Sequence, residues 1–139
     1  MDIYEATQRL LTEAVPDVNV SAYVLTYDAD MDKYLLPDFP AVTYNYAGIT
    51  PIVSMDGASE LNRITLDIEV WGDLEQIAVN AQAVSKALNA KRTQVGNVEL
   101  TLVLIESRDI AELGLDFKRR FMRFTGLAEI GEEHGDTSL

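Results

Sequence analysis

Asn62-Arg63-Ile64-Thr65-Leu66-Asp67-Ile68-Glu69-Val70-Trp71-Gly72-Asp73 is the stretch that decides the architecture. Apolar and polar residues alternate with a period of two. Ile64, Leu66, Ile68 and Val70 therefore share one face, and Arg63, Thr65, Asp67, Glu69 and Trp71 share the other. A strand with one dry and one wet face belongs to an antiparallel sheet covered on one side. Gly72 ends it. Asp73 then starts a helix as N-cap, with Gln76 in the reciprocal position of a capping box. Leu74, Ile77, Ala78, Ala81, Val84 and Leu88 recur at helical spacing and carry the helix to Asn89. Lys86, Lys91 and Arg92 gather at its end, where the helix dipole favours cations.

Working outward, Asp2 to Val15 reads as a helix with a stripe of Ile3, Ala6, Leu10 and Ala14, capped by Asp2 and stopped by Pro16. Asn19 to Thr26 is a short strand. Asp28 to Pro40 reads as an acidic loop. Asp28, Asp30 and Asp32 have the spacing that opens a calcium loop, but Lys33 stands where that loop needs Gly and Phe39 where it needs Glu, so the loop is read as solvated. Ala41 to Tyr46 is a strand that Gly48 breaks, Ile49 to Met55 continues as extended chain past Pro51, and Asp56 to Ser59 is a turn. After the second helix, Gly96 and Asn97 turn the chain into a strand over Val98–Ser107. Its second face, with Val103 and Ile105, is also apolar, which points to a central strand or an interface. Arg108 to Gly114 reads as a loop, and Leu115 to Leu127 closes the sheet. Strands that follow one another without intervening helices give an α+β fold: a mainly antiparallel sheet with two helices packed on one face. Residues 1–127 form one domain, and residues 128–139 form an acidic tail expected to be mobile.

Composition narrows the chemistry. Of 139 residues, 47% are hydrophobic, as in a globular domain, and no apolar run is long enough for a membrane-spanning helix. Asp2 and Glu5 stand where a secretion signal would carry its basic start. Cys is absent, which excludes disulfides, thiolate zinc sites and a Cys nucleophile. The single His, His134, lies in the tail, so a His-based metal cluster and an own-chain Ser-His-Asp triad are excluded as well. The net charge of −12 disfavours tight binding to DNA or to an anionic membrane. It is unevenly spread. Residues 1–60 hold ten acids and two bases, residues 61–127 hold nine of each, and residues 128–139 hold four acids and no base.

Two constellations stand out. Asp67 and Glu69 place two carboxylates side by side on the wet face, the minimum for acid–base chemistry in a small hydrolase or isomerase. No nucleophile or metal-ligand set accompanies them, so an enzyme is not the expected reading. The second constellation is Lys118, Arg119, Arg120, Phe121, Met122, Arg123 and Phe124. On a strand, Arg119, Phe121 and Arg123 share one face, while Lys118, Arg120, Met122 and Phe124 share the other. Arginines in such a place either cover apolar surface with their stems or pair with acids across a subunit contact, and the acidity elsewhere favours the second.

Three passages together resemble the tail-terminator, or tail-completion, proteins of long-tailed bacteriophages. They are Phe39-Pro40-Ala41-Val42-Thr43-Tyr44, the strand Arg63–Trp71 with its Ala-rich helix, and the strand pair Val98–Ser107 and Phe117–Leu127 with Arg108, Asp109 and Leu113 between. The likeness covers residues 39–127. It implies a structural virion protein, made in the host cytoplasm and located at the neck of the tail. As the resemblance has it, copies of the chain form a ring, usually a hexamer, on the head-proximal end of the tail tube. The ring stops tube growth and presents a surface to the head–tail connector, and DNA passes through it without specific binding. No cofactor, metal or membrane is implied. Within that frame the expected subunit contact uses Asp67, Glu69, Trp71, Lys118, Arg119, Arg120, Phe121 and Arg123. The expected tube or connector contact uses Asp30, Asp32, Met55, Asp56, Gly57 and Glu60. The alternatives are another neck or connector ring protein, or a general interaction module.

Overall fold

The computed structural model describes residues 1–22, 26–30, 33–35, 38–52, 60–110 and 118–131. Helix α1 (Ile3–Ala14) opens where the Asp2 carboxylate accepts the Glu5 amide at 2.8 Å. Short strands β1 (Asn19–Ala22), β2 (Thr26–Asp28) and β3 (Lys33–Leu35) follow, and then long strands β4 (Ala41–Ile52) and β5 (Glu60–Gly72). Helix α2 (Leu74–Leu88) has the full capping box: Asp73 accepts the Gln76 amide at 2.8 Å, and the Gln76 side chain accepts the Asp73 amide at 3.0 Å. β6 (Lys91–Val95), β7 (Val98–Ile110) and β8 (Lys118–Ile130) complete the chain.

Six strands form one sheet in the order β1-β4-β5-β8-β7-β6, antiparallel throughout except for the parallel pair β1–β4. Among the described residues, β2 and β3 pair only with each other. Both helices lie on one face, in a single core with Ile64, Leu66, Ile68 and Val70 of β5, Met122 and Phe124 of β8, and Leu100 and Leu102 of β7. Each such side chain, once fully withdrawn from water, stabilises the fold by about 1.5–3 kcal/mol. Helix α1 is also pinned by a buried polar chain. Thr7 Oγ1 donates to the Ile3 carbonyl at 2.7 Å and accepts from the Tyr46 hydroxyl at 2.6 Å. Burial pushes the Tyr46 hydroxyl pKa well above its usual value. Gly126 is required where β8 runs beside β7: a Cβ there would sit 1.9 Å from the Thr101 carbonyl oxygen.

The α+β fold with two helices on one face of a mainly antiparallel sheet is as the alternation in β5 predicts. Several local expectations differ. Gly48 does not break its strand; β4 continues to Ile52 through a bulge between Tyr46 and Gly48. Part of the expected acidic loop is strand, since Asp28 and Lys33 pair in the β2–β3 hairpin. Lys91 and Arg92 do not end the helix but begin β6, where Arg92 meets Glu99 at 2.9 Å. Leu74 and Ala78 are exposed, so the buried stripe of α2 is Ile77, Ala81, Val84 and Leu88. Arg108 to Ile110 prolong β7, and β8 runs three residues past Leu127 with Ala128 buried. The turn expected at Asp56–Ser59, the strand start at Leu115 and most of the expected tail lie outside the described residues. Among the described residues, no helix is long and apolar enough to cross a membrane.

Candidate interaction surface

The face of the sheet opposite the helices carries the residues singled out by charge. Register builds it: Asp67 lies opposite Arg123, Glu69 opposite Phe121, and Trp71 opposite Arg119. Directly opposed side chains on one sheet face come within contact range. Arg123 grips Asp67 with a two-pronged fork, Nε to Oδ1 at 2.7 Å and Nη2 to Oδ2 at 2.9 Å. That hydrogen bond and the carboxylate charge hold the Arg123 guanidinium above its usual pKa. Arg119 Nη1 reaches both Glu69 oxygens at 3.2–3.3 Å. The guanidinium planes also cover rings. Arg119 stands 5.1 Å from the Trp71 ring centre, and Arg108 and Arg123 stand 5.0 and 5.4 Å from that of Phe121. A cation over an aromatic face is held by the ring quadrupole.

These contacts lie within one chain. The arginines expected to seek acids on a neighbouring subunit find them one strand away on their own sheet. Trp71 is 2% exposed, donates from Nε1 to Thr43 Oγ1 at 3.0 Å, and stacks on Phe39 at 5.9 Å. The face is therefore a self-neutralised ladder. A small cleft of about 130 Å³ opens in it, lined by Thr43, Asn45, Asp67, Glu69 and Phe121.

Arg120 and Lys118 point to the other face, at the end of the sheet. Arg120 Nε binds Asp109 at 2.7 Å, which lowers the Asp109 carboxyl pKa below its usual value. Lys118 lines an open depression of about 400 Å³ with Asp73, Leu74 and Glu75. Two further apolar residues, Val103 and Ile105, are 48% and 57% exposed on β7. Of the residues expected to meet a tube or connector, Asp30 is exposed in the turn after β2, and Glu60 is exposed at the start of β5. Asp32, Met55, Asp56 and Gly57 lie outside the described residues. Glu60 and Trp71 occupy opposite ends of β5, about 35 Å apart at ~3.3 Å per residue. Sequence reasoning did not assign to this surface Thr43 of β4 and Arg108 of β7, nor Phe39 just before β4, which complete it. Only the strand register, a long-range property, brings them in.

No family model matches the chain, and no curated protein does. Among solved structures, it is similar in fold to a chain from the virion of a native gene transfer agent (GTA) particle, with a TM-score of 0.57 and 14% sequence identity. That likeness takes in 94% of this chain and 95% of the other, so it concerns the whole domain and not a shared supersecondary unit.

Proposed function

We propose that this chain is a structural subunit of a phage-like particle, a tail terminator that forms a ring at the head-proximal end of the tail tube. In that place it ends tube polymerisation and offers the joining surface to the head–tail connector, while DNA passes through the lumen. The observation that carries this reading is the fold shared over nearly the full length with a chain of a gene transfer agent virion. The sequence resemblance over residues 39–127 narrows it to the terminator. The net charge of −12 suits a wall past which DNA slides without sticking. Asp67 and Glu69, the pair an enzyme reading needs, are engaged by Arg123 and Arg119. Their cleft of about 130 Å³ is below the roughly 300–1,000 Å³ of ordinary small-molecule sites.

Tail length tests this directly. Particles from a strain lacking the gene should carry tubes longer than wild type in electron micrographs. Tubes of normal length that fail to join heads would make the chain a neck ring protein instead. Intact particles of normal length would refute both.

A further inference from the structure

Among the described residues, the edge strands β1 and β6 each cover only half of the strand beside them. β1 pairs with Ala41–Tyr44 of β4, and among the described residues nothing pairs with the outer edge of β4 from Asn45 to Ile52. On the opposite edge, β6 pairs with Val98–Leu102 of β7. The Asn89 side chain takes the next free amide, that of Leu104, at 2.8 Å. Among the described residues, nothing pairs with the edge of β7 from Ile105 to Ile110. The two open stretches lie at opposite ends of the sheet: Asn45–Ile52 is level with Asp67–Leu61 of β5, and Ile110 is level with Trp71.

Such edges are normally blunted, most often with charge, because unpaired amides and carbonyls invite another strand. The open stretch of β4, Asn45-Tyr46-Ala47-Gly48-Ile49-Thr50-Pro51-Ile52, contains no charged residue. Ile49 is 43% exposed there. The open stretch of β7 carries charge, but already paired: Arg108 with Glu106 at 3.1 Å, and Asp109 with Arg120.

We infer that neighbouring copies of this chain join edge to edge, the open half of β7 of one copy pairing antiparallel with the open half of β4 of the next. This inference rests on the ring reading above and supplies its contact. Three features select a second copy as the occupant. First, polarity fits: three successive antiparallel pairings from β4 to β7 make those two strands antiparallel, so one sheet continues into the next in the same sense. Second, the stretches match in length, six residues against the six from Asn45 to Thr50 that precede Pro51, which has no amide to donate. Third, the edges are stepped alike. Bringing the open halves level requires a slide of about four residues, or ~13 Å. That slide carries the neighbour's β1 past the end of β7 and this copy's β6 past the end of the neighbour's β4.

The contact joins two different edges, so it is heterologous and repeats around a ring until both edges of every copy are used. Copies in a ring sit at one height, so the slide must be absorbed by strand tilt. About 13 Å along the strands against about 19 Å across the four strands β4, β5, β8 and β7 gives a lean of roughly 35°. Closed β-barrels adopt roughly 35–45°.

The absence of cysteine makes the test clean. Ile49→Cys or Thr50→Cys is combined in the full-length chain with Glu106→Cys, Ser107→Cys or Arg108→Cys, which covers the register in six pairings. Purified particles carrying each variant are oxidised and run on a non-reducing gel. At least one pairing should give a ladder of covalent multimers with rungs 15.4 kDa apart, and its parent single variants should give none. Dimers from a single variant would show that like edges meet and would overturn the inference. No ladder from any pairing, in particles whose micrographs show the ring, would overturn it as well while leaving the ring reading intact. Absence of the ring itself would remove both.

Discussion

The two faces of β5 show two ways of holding the same strand. Beneath the helices, Ile64, Leu66, Ile68 and Val70 are fully buried and held by desolvation. On the bare face, Asp67 is held by the Arg123 fork and Glu69 by one nitrogen of Arg119, at the edge of water, where such pairs contribute little net stability. The lesson is a division of labour. The helix-covered face makes the fold, whereas the ladder face fixes a surface without weighing much in its stability.

Substitutions should separate the faces by size of effect. Phe124→Ala, which empties a fully buried site under the helices, should lower unfolding free energy by about 3–5 kcal/mol in urea titrations. Gly126→Ala drives a methyl into the Thr101 carbonyl and should cost up to about 3 kcal/mol, read as a lower thermal midpoint. A loss under 1 kcal/mol for either would mean that the sheet is looser than described. The buried hydroxyl on the covered face should fail in alkali. Tyr46 binds its proton more tightly when folded than when unfolded, so its contribution is present below pH ~10 and lost as pH rises above it. Circular dichroism should show the loss, and Tyr46→Phe should blunt its steepness.

Effects on the bare face should be smaller. A double-mutant cycle with Asp67→Asn and Arg123→Gln should give a coupling of about 1 kcal/mol or less, since both groups are partly exposed. A coupling well above 2 kcal/mol would give this face a structural weight the comparison denies it. Smallest of all is the acid limb. Asp109 has a lowered pKa in the folded chain, so its pair with Arg120 stabilises at neutral pH. That contribution fades as pH falls below the usual carboxylate range toward the folded value. Comparing the acid midpoints of wild type and Asp109→Asn should reveal a slight difference, reduced further by added salt.

Legibility in the sequence followed the same division. The covered face could be read because burial imposes a period: the alternation in β5 and the capping box at Asp73 are local and specific. What carried no period was misread. β6 is an edge strand whose Lys91, Arg92 and Gln94 are exposed, so it left only charges that imitate a helix end. Gly48 sits at a bulge, and a bulge and a strand end look the same in one sequence. Leu74 lies in the first turn of α2, beyond the cover of the core, so its place in the spacing did not bury it. The charges of the ladder were visible, but the identity of their partners was not. Whether Arg123 finds an acid on its own chain or on another depends on pairing residues 56 positions apart.

The proposed place at the head end of the tail tube is tested most directly by imaging. Cryo-electron microscopy of purified particles carrying a small C-terminal tag should place this chain in a single ring between the tail tube and the head, with the sheet continuous from copy to copy. Particles that lack the chain, or that carry it as scattered single copies away from that junction, would contradict the central claim.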